Sequence, residues 1–205
     1  MASNISICNL ALGWLGSSLI SDFPPGDTSA PATLCHVNFE PARDKTLEDR
    51  DWSFASARQT LTPLVASPDH GYSTAFQIPS NTITIRDVSA KPFTHQPEDN
   101  LSWTRERDQI LSDVSTVYVR YTIKETDPNK FSAGFIHACA ARIAVDIAIA
   151  ITGSKDMRDL MEKAYIELIE TGGAIDGLQG VNKTFRSNKL TGIRSGLHFD
   201  IFKQP

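Results

Sequence analysis

The histidines and cysteines, the side chains that most often bind metals, are not spaced as a metal site requires. His137 and Cys139 are two residues apart in a run that predicts a helix, so their side chains point in different directions. Cys35 and His36 are adjacent in the sequence, so their side chains also point in different directions. The cysteine count is odd and each cysteine lies among apolar residues, which favours buried, reduced thiols. The sequence predicts no metal site.

Motifs that bind cofactors or activate nucleophiles are also missing. Residues 177–184 are rich in glycine, but Lys183 does not directly follow the last glycine, and no strand is predicted before this segment. Neither the nucleophile elbow G-x-S-x-G nor a dinucleotide-binding fingerprint occurs. We therefore expect no cofactor and no catalytic residue.

Carboxylates leave one enzymatic alternative, a cell-wall or polysaccharide hydrolase. Glycosidases use two carboxylates on either side of the bond they cleave, whereas the adjacent acids at 48–49 and at 98–99 usually point apart. Solvated surface charge is the simpler interpretation. Replacement of Glu48, Glu98, Glu106 and Glu125 would test the alternative.

Arg142 and Asp146 are charges four residues apart within the apolar run 135–151. Unpaired, either would be costly to bury. They predict an internal ion pair or a contact with a neighbouring subunit. Because an ionised group at a bilayer centre costs roughly 3 kcal/mol, these charges also argue against a membrane span.

The periodicity of apolar residues predicts helices over about 4–15, 28–49, 128–151 and 154–171. Residues 72–123 instead contain short runs rich in Thr, Val, Ile and aromatic residues, which predict an inserted antiparallel sheet. The third helix is apolar all round, which is typical of the central helix of a bundle. The predicted fold is α+β and mainly α: a four-helix bundle, a small inserted sheet and an extended C-terminal tail.

Several finer expectations follow from local sequence. The second helix is expected to be capped near Asp27 or Thr28, and the third to start at Asp127-Pro128. Charges over 43–50 predict a solvated helix face. The run GGAIDGLQG is expected to end the last helix, whose inner face includes Leu160.

Trp52 and Phe54 follow the second helix at the spacing that places both rings on one side of an extended strand. They predict a local core, with packing on a neighbouring subunit as the alternative.

The C-terminal segment has a different character. Residues 178–205 contain five cationic side chains and one anionic side chain, so the net charge of this segment is +4 and that of the remainder is -8. A basic tail on an acidic body predicts docking on an acidic surface.

Five stretches in this order resemble the tail tubular protein A family, the head-to-tail adaptors of short-tailed bacteriophages. They are ICNLALGWLG, LCHVNFEPARDKTLEDRDWSFA, FQIP, VYVRYTI and FSAGFIHACAARIAVDIAIAITGS. The likeness covers roughly residues 5–178 and is sharpest over 35–55 and 117–154. Its order and spacing, rather than any single motif, carry the resemblance.

The resemblance implies a structural virion protein that is not an enzyme and is synthesised in the cytoplasm of a host bacterium. Such subunits form a ring, usually of twelve, beneath the portal, and genomic DNA passes through the lumen without sequence-specific binding. The tail nozzle, of tail tubular protein B type, lies below, and tail fibres attach near that junction.

The resemblance also divides the chain into an adaptor domain, 1–178, and a docking tail, 179–205, that meets the portal protein. In the tail the match is one of role and position only. Trp52 and Phe54 match the aromatic pair of the family. The residues expected to dock are Lys183, Arg186, Lys189, Ile193, Arg194, Leu197, Phe199 and Phe202.

Overall fold

The computed structural model describes residues 2–92 and 101–177. Within them the chain is α+β, with two helices before the strands and two after them. The helices are α1 (Asn4–Trp14), α2 (Ala30–Asp49), α3 (Ala133–Thr152) and α4 (Lys155–Gly177). The strands are β1 (Ser56–Leu61), β2 (Thr74–Gln77), β3 (Thr82–Ser89), β4 (Trp103–Glu106), β5 (Gln109–Ser112) and β6 (Val117–Ile123).

A serine caps the start of each helix. The Ser3 hydroxyl accepts a hydrogen bond from the Ser6 backbone N–H in a capping box, and Ser29 caps α2. Ser132 caps α3, and Ser154 accepts from the N–H of Met157 at 3.3 Å at the start of α4. Serine caps stabilise these starts because they bind N–H groups that have no partner within the helix.

Two predicted helix starts were wrong. Asp27 instead accepts a hydrogen bond from the N–H of Ser29, and α2 begins at Ala30. Asp127 caps only a short 3₁₀ turn, Pro128–Lys130, and α3 begins three residues later. In both places an acidic residue holds a turn just before the serine that caps the helix.

Helix α3 lies at the centre of the helical part and contacts α1, α2 and α4. Ten of its residues are buried, including Phe135, Ile143 and Ile147. It ends at Gly153, whose φ of +67° is the left-handed conformation that glycine adopts without strain. Its position explains why its sequence is apolar on every side.

The strand region forms two sheets, so the expectation of a single sheet was wrong. The first sheet has the order β1-β6-β3 and the second has β2-β5-β4, and all pairs are antiparallel. Buried residues from both sheets share one core, in which Phe76 and Ile110 meet Val117 and Val119. Strands β2 to β6 all lie within the predicted range 72–123, so the prediction of antiparallel strands there is confirmed.

Strand β1 was not predicted, and the insertion begins at residue 56 rather than 72. Its sequence, SARQTL, has almost no apolar alternation, and four of its six residues are exposed. It is a strand because it pairs with β6 along its whole length, from Ser56 opposite Thr122 to Leu61 opposite Val117. Tertiary pairing outweighs weak local propensity here.

Helix α4 continues six residues beyond its predicted end, through the glycines expected to stop it. A Cβ on Gly134 of α3 would lie 2.9 Å from the Cα of Gly172. The glycines therefore allow the two helix backbones to approach closely, and they do not break α4. Leu160 is 55% exposed, not on the inner face, because Met157, Met161 and Leu168 make the contact with the core.

Candidate functional site: the junction of helices and sheets

Four aromatic rings cluster where the chain leaves α2 and where it returns to α3; we call this cluster the aromatic junction (Trp52, Phe54, Phe131 and Phe135). Trp52 is fully buried and meets Phe135 edge-on, with 5.3 Å between ring centroids. Phe54 is half-buried and lies 5.1 Å from Phe135 and 5.7 Å from Phe131. The indole N–H of Trp52 donates to the carbonyl of Thr46 at 2.8 Å. The junction joins the end of α2 to the start of α3.

The extended strand expected at Trp52 and Phe54 was wrong, because a 3₁₀ turn, Ser53–Ala55, lies there. The turn still brings the two rings together, with their centroids 6.3 Å apart. Because the indole has a backbone partner and a fully buried ring, its interactions lie within the chain itself.

Arg86 on β3 fixes the first sheet to the end of α2. Its Nη2 donates to the carbonyl oxygens of Leu47 at 2.8 Å, Glu48 at 2.9 Å and Arg50 at 2.7 Å. Helix carbonyls at such an end have no partner within the helix. Its Nε donates to the hydroxyl of Thr122 at 2.8 Å. Burial lowers the pKa of Arg86, but a guanidinium stays protonated in proteins.

An ion pair is the second contact that joins the first sheet to the end of α2. The guanidinium of Arg120 on β6 pairs with the carboxylate of Asp51, just after α2. Arg120 lies opposite Asp87 on β3 in the sheet register. The first sheet is therefore held to α2 by two arginines from adjacent strands.

Five polar side chains on α2, α3 and α4 contact one another in a row, which we call the polar seam (Lys45, Asp49, Arg142, Asp146 and Tyr165). Lys45 Nζ lies 2.8 Å from Asp49 Oδ1, and the Tyr165 hydroxyl donates to Asp49 Oδ2 at 2.7 Å. The Arg142 guanidinium lies 5.9 Å from the centroid of the Tyr165 ring and donates to Asp146 Oδ1 at 2.7 Å. Arg142 and Asp146 thus form an ion pair within one chain.

The electrostatics of the polar seam are incompletely balanced. Burial raises the pKa of Asp146, and the charge and hydrogen bond of Arg142 only partly oppose that effect. The Nε of Arg142 is buried and has no hydrogen-bond partner within the described chain. Yet the side chains of Arg142 and Asp146 remain 29% and 24% exposed. This pair can accept a further polar contact from outside the chain.

Arg43 contradicts the expected solvated face, because it is only 2% exposed. Its Nη2 lies 2.8 Å from Asp44 Oδ1, and the other oxygen of Asp44 lies 2.9 Å from Lys124 Nζ. Among the charged side chains at this end of α2, some are therefore buried, as Arg43 is, and others are exposed to solvent. A buried guanidinium with a paired carboxylate is the arrangement that limits the cost of burial.

Of the carboxylates of the hydrolase alternative, the three within the described residues, Glu48, Glu106 and Glu125, do not line the pocket that the described part of the chain forms. Glu125 is buried and accepts hydrogen bonds from two backbone N–H groups and, at 2.9 Å, from Lys130 Nζ. Burial alone would raise its pKa, but these partners hold the pKa below the usual value, whereas a general acid needs a raised one. Glu48 and Glu106 are exposed, and Glu98 lies outside the described residues.

A shallow pocket of about 280 Å³ opens on the outer side of the first sheet, lined by Arg58, Gln59, Thr60, Pro92 and Tyr118. Over 2–92 and 101–177, no three His, Cys, Asp or Glu side chains are grouped to hold a metal ion. Helix α3 is long and apolar enough to cross a membrane, but it is the helix that packs against the other three. All the residues expected to dock on the portal lie beyond residue 177, outside the described residues.

The sequence matches no known protein-family model and has no significant match among curated proteins.

Sequence reasoning missed the roles of Arg43, Arg86 and Tyr165. The arginine within the strand TITIRDV was the available signal for Arg86, because a charged residue that is partly buried in a sheet needs a partner. Nothing in the local pattern distinguished Arg43 from its exposed neighbours. Tyr165 bonds to Asp49, a partner 116 residues away in the sequence.

Proposed function

We propose that this protein is a structural head-to-tail adaptor of a short-tailed bacteriophage, and not an enzyme. In this proposal the four helices form a bundle and the subunits assemble into a ring, usually of twelve. The ring lies between the portal protein and a tail nozzle, with tail fibres near the junction, and genomic DNA passes through its lumen. The protein is made in the host cytoplasm and resides in the virion.

The observation that carries this proposal is the aromatic junction. The two stretches with the sharpest resemblance, 35–55 and 117–154, are separated by more than sixty residues in sequence. In the fold they meet: Trp52 and Phe54 from the first stretch contact Phe131 and Phe135 from the second. The resemblance therefore covers one packed unit, which supports a shared architecture.

The polar seam supports assembly with other copies. Ionised Asp146 is less stable in the fold than in water, and Arg142 retains an unused buried donor. A hydrogen-bond donor from a neighbouring subunit, which can reach the partly exposed carboxylate of Asp146 but not the buried Nε of Arg142, would stabilise the ionised form of Asp146. In this proposal Arg142 and Asp146 keep their internal pair and take part in the subunit interface as well.

The C-terminal tail supplies the contact with the portal. Its net charge of +4, and the apolar residues between its cations, suit an acidic surface with apolar grooves. The rest of the chain, at -8, is not repelled by a basic neighbour.

Negative-stain microscopy and mass photometry of the protein, alone and mixed with portal rings of the phage that encodes it, test the proposal. We expect rings of uniform size that bind the portal, and we expect deletion of residues 179–205 to abolish portal binding while the far-UV circular dichroism stays helical. A protein that stays monomeric with portal rings present would refute the adaptor function. Undiminished binding by the truncated chain would refute the role of the tail.

The role of the seam is tested separately by Asp146→Asn and Arg142→Gln, with Glu170→Gln, an exposed acid on α4, as the matched control. We expect the seam variants to remain folded and to lose ring formation at protein concentrations where the control still forms rings. Equal ring formation by all three variants would assign Arg142 and Asp146 a purely internal role.

A further inference from the structure

Strand β1 is an outer strand of the first sheet, since within the described residues it pairs only with β6. Its six residues pair in unbroken register, whereas β3, at the opposite edge, has two register shifts. In the second sheet the chain at Pro63 and Leu64 covers β2, and β4 has only four residues. Among the described strands β1 is therefore the longest regular edge, and the free backbone groups of such an edge can pair with another extended chain.

A cation without a partner lies near the middle of this edge. Arg58 is exposed and has no ion-pair or hydrogen-bond partner among residues 2–92 and 101–177. In the sheet register it lies directly opposite Arg120, a placement in which like charges destabilise a strand pair. Arg120 has Asp51 as its partner, and Asp87 lies opposite it on β3. Arg58 is therefore the cation of this face that still needs a carboxylate.

The shallow pocket of about 280 Å³ adjoins Arg58 on the same side of the sheet. Thr60, two residues further along β1, lies opposite Tyr118 of β6. Because threonine is short, a side chain from a strand added beyond β1 could reach across it toward Tyr118 and Pro92. The hydroxyls of Thr60 and Tyr118 have no hydrogen-bond partner in the described part of the chain.

From these observations we propose that β1 binds an extended acidic segment of a partner protein, which adds to the first sheet as a further strand. A carboxylate of the segment pairs with Arg58. The side chain two residues away, on the same face, enters the pocket beside Thr60 and Tyr118. Main-chain hydrogen bonds along β1 supply affinity, and the two side chains supply specificity. The inference does not depend on the adaptor function.

The charges and the edge favour this partner over two others. A nucleic acid also carries anions for Arg58, but it cannot pair with the backbone of β1, and Asp51 and Asp87 lie on or beside the same face and repel a run of phosphates. A second copy of β1, paired about Arg58, would bring two unpartnered cations together. An acidic extended peptide meets neither obstacle.

Binding of a synthetic peptide to the full chain tests the proposal. The peptide consists of threonines with a central Glu and a Val two residues away on each side, and fluorescence anisotropy measures its affinity. Hydrogen exchange should slow at residues 56–61 when it binds. Replacing its Glu by Gln should weaken binding about threefold. A version with proline on each side of the Glu keeps the charge but cannot pair as a strand, so it should not bind.

Charge reversal gives the sharper comparison. Wild-type protein should prefer the Glu peptide to the same peptide with Lys in place of Glu, and Arg58→Glu should reverse that order. Arg105→Glu, at an exposed arginine on β4 of the second sheet, is the matched control and should leave the order unchanged.

Equal binding of the Glu and Gln peptides, binding of the proline version, an unchanged order in a folded Arg58→Glu variant, or no binding of any peptide would overturn the proposal. Slower exchange at 56–61 that rises with the concentration of the chain alone would make a second copy the occupant. Tighter binding of single-stranded oligothymidylate, lost in Arg58→Glu, would make a nucleic acid the ligand. Both results would also overturn the proposal, and the wild-type measurements decide it even if Arg58→Glu fails to fold.

Discussion

Replacement of Arg86 by methionine should weaken the attachment of the first sheet to the end of α2. Methionine keeps most of the side-chain volume and removes every donor. The carbonyls of Leu47, Glu48 and Arg50, together with the hydroxyl of Thr122, lose their shared partner. The end of α2 is left with carbonyls that are only partly accessible to water.

The expected loss can be worked from these contacts. The three carbonyls share one nitrogen, so we count them as a single charged hydrogen bond of about 1.5–3 kcal/mol, and the hydroxyl contact adds about 1 kcal/mol. The free energy of unfolding should fall by about 3 kcal/mol. With a urea slope of about 1–3 kcal/mol per molar, the unfolding midpoint should move down by roughly 1–3 M.

Urea unfolding followed by circular dichroism measures this change. Arg58→Met is the matched control, since Arg58 is an exposed arginine on β1 of the same sheet. Its stability should stay within about 0.5 kcal/mol of the wild type. If Arg86→Met is no less stable than Arg58→Met, the attachment of the sheet does not depend on this arginine.

Three further outcomes are expected. Gly134→Ala should destabilise the chain by several kcal/mol because its Cβ would meet Gly172 at 2.9 Å, whereas Gly13→Ala, with no atom within 4 Å, should not; thermal denaturation separates the two. Trp52→Ala should cost about 3–5 kcal/mol in urea unfolding, and a smaller loss would mean that its cavity collapses. Glu125→Gln should destabilise the protein at neutral pH. Because the folded pKa of Glu125 is lowered from 4.5, the difference from wild type should vanish as the pH falls through that lowered value; a constant difference would contradict the assignment.

Much of the fold is readable from the sequence because it depends on periodicity. The apolar run of α3 and the alternation of VYVRYTI each predict one element, and both elements form. The features that the sequence does not predict depend on contacts between residues that are far apart in the sequence. Strand β1 exists through its pairing with β6, and the end of α4 depends on Gly134, which lies 38 residues before Gly172.

The candidate site was harder to predict for the same reason. Arg142 and Asp146 are neighbours on one helix turn, so their pairing follows from spacing alone. The hydrogen bonds from Arg86 to the end of α2, and the hydrogen bond between Tyr165 and Asp49, join elements whose contact no local sequence pattern predicts. Burial separates Arg43 from the other charges of α2, and burial is a property of the whole fold.

The strands that enter and leave the sheet region run side by side, since Ser56 pairs with Thr122. The polypeptide thus departs from the helices and comes back to them at almost the same point. Insertions or deletions in the loops of that excursion, outside the paired strands β1 and β6, leave the two attachment points where they were. The length of the excursion can change in evolution or by engineering, and a short turn could close the gap if it were removed altogether.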